Sequence, residues 1–471
     1  KKGSEFLATL TGISASSIAA LDFQSTSTDS LTLNGSSSDD SIVGGSGNDT
    51  FNGGAGSDTL IGWGGNDTFN IRSKSGAYAD TVNGGAGTDT LDIDYTGISN
   101  LGSFSILNGD GTVTLTDSNG GSVAYNIASM ENLTINDIDY IKVANENVYW
   151  NATEDALYAH GPLALSSSNI TSLAGFSASD NLKIIGMDPS ASNGGGDSVN
   201  FNIDRASAFT GNLTLDLRGD NDQLLSAKLK NGDSIDMGTG NDAVYLMLTG
   251  SNGTPTIGAA NISKLDGGAG TDTLYFTESG SNTGELNLTT AGATNFENLT
   301  GTAGSETIKG DNNANVLKGG HSNPSGSDII YGLGGNDTLY PGGSNLGVST
   351  NILYGGAGND RLIASNGDDT MDGGTGADNI STGFGSDTII LRAGDGGSSI
   401  ADADTIAAYD GFTGFTDGED SFGLDGLTFD ALTISQSGSD VVIKKKDTGE
   451  FLVVIKNFNV SNISDADFSD I

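Results

Sequence analysis

The sequence predicts an all-β fold: a right-handed parallel β-roll or β-solenoid, interrupted by a β-rich insert and closed by a C-terminal β cap. Three observations carry this expectation. A nine-residue phrase, Gly-Gly-x-Gly-x-Asp-x-apolar-x, recurs head to tail in two stretches of the chain. The charge is heavily acidic, with 60 Asp and Glu against 19 Lys and Arg and a net charge of −41. Of those acids, 50 are Asp, a bias toward the short carboxylate that suits turns. The chain also has no Cys, so it has no disulfide framework to staple a long structure.

The phrase reads GGSGNDTFN from Gly44, GGAGSDTLI from Gly53 and GWGGNDTFN from Gly62, without a gap. It returns from Gly84 and Gly267, then from Gly332, and runs unbroken from Gly355 to Ile390, with one copy opening at Gly373. Its glycines allow positive φ and leave no Cβ in the way of a cation. Its aspartates supply hard anionic oxygens: Asp49, Asp58, Asp67, Asp89, Asp242, Asp272, Asp328, Asp337, Asp360, Asp369, Asp378 and Asp387. The apolar residue two places on, such as Phe51, Leu60, Leu339 or Leu362, faces inward from a short strand. Turn carbonyls and carboxylates of neighbouring coils then suit Ca²⁺, which takes about six to eight oxygens. Several Ca²⁺ ions are expected, with Gly44, Gly53, Gly355 and Gly373 lining their turns. Repeats two apart in sequence share a site, and binding and folding are one event.

Taken in order, residues 1–43 form an entry segment that holds a degenerate repeat, LTLNGSSSDDSIVGG. Residues 44–92 are the first roll, interrupted by NIRSKSGAYADTV at 70–82. Residues 93–300 are a β-rich insert or irregular solenoid. Within it SFSILNGDGTVTLTDSNGGSVAYNI (103–127) reads as hairpins, degenerate phrases surround Asp222 and Asp242, and WNATEDALYAHG (150–161) is the one candidate helix. MENLTI (130–135) and FENLTG (296–301) read as matching strands that re-enter the coil. Residues 301–390 are the second roll. It opens on two imperfect copies, with Glu306 and Ala314 assigned to the aspartate position, and carries loop insertions at 320–327 and 341–350. Residues 391–471 lose the repeat and gain ordinary strands, the cap that an open solenoid end needs.

Composition excludes several functions. The negative charge rules out nucleic acid and anionic membrane as electrostatic partners. No apolar run approaches the roughly 18 residues of a spanning helix, so no membrane insertion is expected. His160 and His321 are the two histidines, and neither lies in a His-Glu-x-x-His context. The GGSGN at Gly44 belongs to a repeat and is not a nucleophile elbow. Trp150 and Tyr149 could stack on a sugar, with core packing the commoner role. The N-terminal KKGSEFLATL has no initiating Met and too short an apolar run for a secretory signal, as in a piece of a longer chain or one in which GSEF is a cloning remnant.

At these repeats the chain resembles the RTX (repeats-in-toxin) family of bacterial type I-secreted calcium-binding proteins. The likeness is strong over 44–92 and 301–390, and the C-terminal segment from Asp404 resembles the uncleaved secretion region that follows such repeats. The resemblance implies export to the medium or cell surface and folding there on calcium; Glu306, Ala314 and Asn366 mark imperfect copies. The passenger activities of the family do not carry over, because they depend on domains outside the repeats. The expected function is a non-enzymatic surface-layer or adhesion component, its partners copies of itself or cell-surface polysaccharide, bridged by Ca²⁺. The alternatives are an exported polysaccharide lyase or epimerase, or the repeat-and-secretion half of a longer protein.

Overall fold

The computed structural model describes residues 28–97, 101–107, 112–136, 138–142, 148–151, 155–159, 163–166, 170, 173, 175–186, 198–201, 209–227, 229–247, 263–277, 284–289, 292–320, 326–342, 349–409 and 413–471. Two compact units divide it, residues 1–198 with 206–220, and residues 199–205 with 221–471.

In the first unit the nonapeptide supplies a turn of about six residues and a strand of three, so successive strands fall on alternate sides of the coil. Thr32–Asn34, Thr50–Asn52, Thr68–Arg72, Thr90–Asp94 and Asn132–Ile135 pair in parallel on one side. Ser41–Val43, Thr59–Ile61, Ala79–Asn83 and Ser122–Asn126 pair in parallel on the other. The central residue of each short strand points inward, which is why one apolar residue per phrase suffices: Phe51, Leu60, Phe69 and Leu91 are fully buried. Phe51 and Phe69 stack with ring centroids 4.6 Å apart.

The 103–127 stretch forms hairpins, as its Gly/Asn turns predict. Leu101–Leu107, Thr112–Asp117 and Ser122–Asn126 pair antiparallel, and Asp117 Oδ1 accepts the N–H groups of Asn119 and Gly121 at the tight turn. The expected helix at 150–161 is not formed. Val148–Asn151 and Ala156–Ala159 are antiparallel strands. Trp150 is buried, edge-on to Phe176 at 5.7 Å, so the sheet's hydrogen bonds and this aromatic contact override local helical preference. Parallel stacking then resumes through Leu182–Gly186 and Leu213–Asp216. His160 and His321 lie outside the described residues, as do most of the entry segment and most of both predicted loop insertions.

The second unit is a longer coil of the same kind. One side carries Gln223–Ala227, Ala243–Met247, Thr273–Thr277, Asn298–Thr300, Val316–Gly320, Thr338–Gly342, Arg361–Ile363, Asn379–Ser381 and Asp404–Ile406, each parallel to the next. The other runs from Glu285–Asn287 through Thr307–Lys309, Ile329–Gly334, Ile352–Ala357, Thr370–Thr375 and Thr388–Arg392 to Ser421–Asp425 and Phe468–Asp470. Much of the 93–300 region is therefore solenoid. The insertion at 341–350 leaves the register intact, with Ile330 opposite Leu353 and Leu339 opposite Leu362. At the C-terminal end Phe451–Ile455 joins parallel to Asp404–Ile406, and Asp440–Lys445 and Leu432–Ser437 turn antiparallel beyond it. That turn covers a parallel edge that would otherwise recruit another strand.

Leu362 is buried in this core, whereas Leu333, at a repeat's second position with φ 78°, is 48% exposed. Leu362→Ala is therefore expected to cost about 2–5 kcal/mol. Leu333→Ala should stay within about 0.5 kcal/mol. Denaturant unfolding in saturating calcium measures both, and equal losses would contradict the inward and outward assignments.

Candidate metal centres

Each aspartate position is held by a hydrogen bond from one coil to the next. Asp67 Oδ1 accepts the backbone N–H of Asp49 at 2.8 Å, 18 residues earlier. Asp89 accepts that of Asp67, and Glu131 Oε2 that of Asp89, both at 2.8 Å. On the opposite side Asp58 accepts from Asp40, and Asp80 from Asp58.

The second unit carries the same two ladders. Asp222, Asp242, Asp272 and Glu297 follow one another at 2.7 Å per step. After Asn315 the ladder continues through Asp337, Asp360, Asp378 and Asp404. Its counterpart runs Glu306, Asp328, Asn351, Asp369, Asp387 and Asp420. A further ladder lies on the exposed turn ridges, where Asn66 Oδ1 accepts from Thr88, Asn241 Oδ1 from Thr271 and Asn359 Oδ1 from Ala377.

With Oδ1 committed to the preceding coil, Oδ2 faces the turn of its own repeat. The Oδ2 atoms of Asp67, Asp89, Asp242, Asp272, Asp337, Asp360, Asp378 and Asp387 are buried and accept no hydrogen bond among the described residues. The glycine at position one makes room beside them. A Cβ on Gly355 would lie 2.5 Å from Asp360 Oδ2 and 2.5 Å from the Gly373 carbonyl. One on Gly44 would meet Asp49 Oδ2 at 2.5 Å and the Gly62 carbonyl at 2.8 Å; one on Gly53 or Gly373 would meet the Oδ2 of Asp58 or Asp378 at 2.4 and 2.3 Å. Two oxygens of different chain segments thus border one small space, and both are hard donors suited to Ca²⁺. Asp49 and Asp369 differ, because their Oδ2 atoms accept the N–H of Gly45 and Ser365. The copies of Asp369 and Asp387 also carry Ala364 and Thr382 at position one, where the side chain takes up part of that room. Among the described residues no group of three or more His, Cys, Asp or Glu gathers at one point. A cation here would draw on single carboxylates and main-chain carbonyls.

Burial first, with their partners Asp360 and Asp272 adding to it, pushes the Asp337 and Asp242 carboxyls up to about 7. Asp387 rises to about 8, from burial and then from Asp420 and Asp369. Asp67, Asp272, Asp328, Asp369 and Asp378 rise to about 6, each chiefly from burial. These groups resist ionising unless a cation joins them.

Several ladder members were not legible as site residues: Asp80, Asp404, Asp420, Asn351, Glu131 and Glu297. The aspartate position assigned to Ala314 belongs to Asn315, whose N–H donates to Asp337 Oδ1 and whose Oδ1 accepts from Asp311. All share a short signal, an acid or amide two residues before a buried apolar residue, as in Asp80-Thr81-Val82, Asn351-Ile352-Leu353 and Asp404-Thr405-Ile406. The glycine-based phrase overlooks it where the turn has diverged.

The profile of the RTX calcium-binding nonapeptide repeat matches residues 34–69, 74–92, 300–323, 325–345, 347–380, 354–389 and 372–396. The chain thus carries RTX calcium-binding nonapeptide repeats in several copies. Its cofactor is accordingly Ca²⁺, bound at multiple sites. No curated protein matches it. Among solved structures it is similar to the extracellular lipase LipA of Serratia marcescens, at 13% identity and a TM-score of 0.12. That match covers 94% of this chain and 40% of the lipase chain.

The raised carboxyls set a pH dependence. Their folded pKa values lie above the unfolded value of 3.8. In the calcium-free chain their contribution is thus fully present below about pH 4 and is lost as pH rises through about 6–8. Calcium-stripped protein should melt at a lower temperature at about pH 8 than at about pH 5, and saturating Ca²⁺ should abolish or reverse that order. A stripped protein equally stable at both would contradict the ladder electrostatics.

Proposed function

We propose that this RTX protein is an exported, non-enzymatic structural component of the bacterial cell surface, a surface-layer or adhesion protein that folds on Ca²⁺ outside the cell. The observation that carries the reading is the extent of the carboxylate ladders. In the second unit they run from Asp222 to Asp404 and from Glu306 to Asp420. Most of the coil is thus spent on its own metal-dependent stacking. RTX repeat proteins are typically secreted, and no helix among the described residues is long and apolar enough to cross a membrane. The Asp49, Asp67, Asp89, Asp242, Asp272, Asp328, Asp337, Asp360, Asp378 and Asp387 carboxylates, with turn carbonyls beside Gly44, Gly355 and Gly373, would hold the ions. Bound calcium supplies the positive charge these buried acids lack.

The net charge of −41 makes copies of the apo chain repel one another. Divalent ions bridging exposed carboxylates can reverse this, in a way that monovalent screening does not. A polysaccharide-directed reading draws on a different feature, a cleft of about 400 Å³ beside Arg361, whose guanidinium lies 3.2 Å over the Tyr409 ring, with Asn336 and Asn359 on its wall. Light scattering against Ca²⁺, with NaCl at matched ionic strength, tests the assembly role. Ordered assemblies should appear with Ca²⁺ and saturate; monomers persisting at millimolar Ca²⁺ would overturn the lattice form of the proposal.

A further inference from the structure

The ladder rung between Asp58 and Asp80 differs from the others in what it contains. The earlier rungs of the first roll are offset by 18 residues, but from Asp58 to Asp80, and on the other side from Asp67 to Asp89, the offset is 22. The extra residues carry Lys74. Its Nζ lies 3.1 Å from Asp58 Oδ2, 2.8 and 2.7 Å from the two Asp80 carboxylate oxygens, and 2.9 Å from the Gly56 carbonyl. Asp58 and Asp80 are fully buried at their side chains, and Lys74 is 8% exposed, the one buried lysine or arginine among the described residues. The Tyr78 ring covers the ammonium, with its centroid 4.6 Å from Nζ.

These partners are of the same classes as the donors around the unpartnered carboxylates elsewhere: two consecutive ladder acids and a turn carbonyl. At Asp67, Asp337 or Asp360 the Oδ2 is buried with no hydrogen-bond donor; at Asp58 an ammonium meets it. A buried ammonium needs such compensation, and a buried carboxylate pair needs a cation. Each satisfies the other. We propose that Lys74 is a built-in replacement for one Ca²⁺, so that the Asp58–Asp80 site is closed to metal and this coil of the first roll is joined without calcium. The inference rests on calcium binding by the repeats and not on the proposed surface role.

Counting Ca²⁺ per chain by native mass spectrometry on the whole chain in saturating calcium tests it. Lys74→Ala, which removes the ammonium and opens its space, should bind one more ion than the wild type. Asp80→Asn in the wild-type background should leave the count unchanged, and in the Lys74→Ala background should remove the extra ion. Lys309→Ala, at an exposed pair with Glu285, should change nothing. Melting supplies a second readout: Lys74→Ala should be destabilised at low calcium and recover as calcium rises. An unchanged count in Lys74→Ala, an extra ion that survives Asp80→Asn, or a Lys74→Ala chain that calcium cannot fold would each overturn the assignment. So would the loss of an ion from Asp80→Asn alone, a measurement that does not depend on the Lys74 variant folding. A wild-type chain that binds no calcium would instead count against the repeats as metal sites.

Discussion

The hydrogen bond from each ladder residue's N–H to the carboxylate one coil later is the contact on which the rest of the structure depends. It uses one carboxylate oxygen to fix register and leaves the other inside the turn. The strands between turns are mostly three to six residues long, too short to specify pairing by themselves. With the aspartate anchored, the apolar residue two places on is set inward, and a column such as Phe51–Phe69 or Leu339–Leu362 follows. The cost of this economy is electrostatic. Most coils add a buried acid, and burial raises the pKa of Asp67, Asp242, Asp272, Asp337, Asp378 and Asp387 among them. The fold is therefore incomplete as a charge distribution until cations enter the turns.

The glycines answer the same constraint. At position one there is no room for a Cβ between the carboxylate and the carbonyl of the next coil. At position two the backbone commonly takes positive φ, and Trp63 and Leu333 adopt it there without being glycine, each with φ 78° and about half exposed. The repeat thus tolerates a side chain where it can point to solvent and excludes one where it would fill the turn. Ala364 and Thr382 mark the turns at which that exclusion is relaxed.

The β-roll, its calcium and its inward apolar residues were legible because a fixed period of nine ties each to a residue type. The middle of the chain was less so. There the glycines are lost while the acid-x-apolar core survives, so Glu131 and Glu297 continue ladders that the longer phrase does not reveal. The paired ENLT segments did signal re-entry, and the strands Asn132–Ile135 and Asn298–Thr300 follow those glutamates. The stretch around Trp150 reads as a helix in the sequence because short apolar runs carry no clear period, and tertiary pairing makes it two antiparallel strands. In the sequence Lys74 is one residue of an interruption; only the fold shows that the four extra residues carry a cation between two acids.

Far-ultraviolet circular dichroism of the whole chain at about pH 8, with calcium removed by EGTA and then restored, addresses the central claim most directly, namely that the carboxylate ladders close only with calcium. The account predicts that the β signal falls in EGTA and returns on adding excess Ca²⁺ but not equimolar Mg²⁺, whose rigid octahedral preference matches single carboxylates and turn carbonyls poorly. A β signal unchanged by EGTA would contradict it.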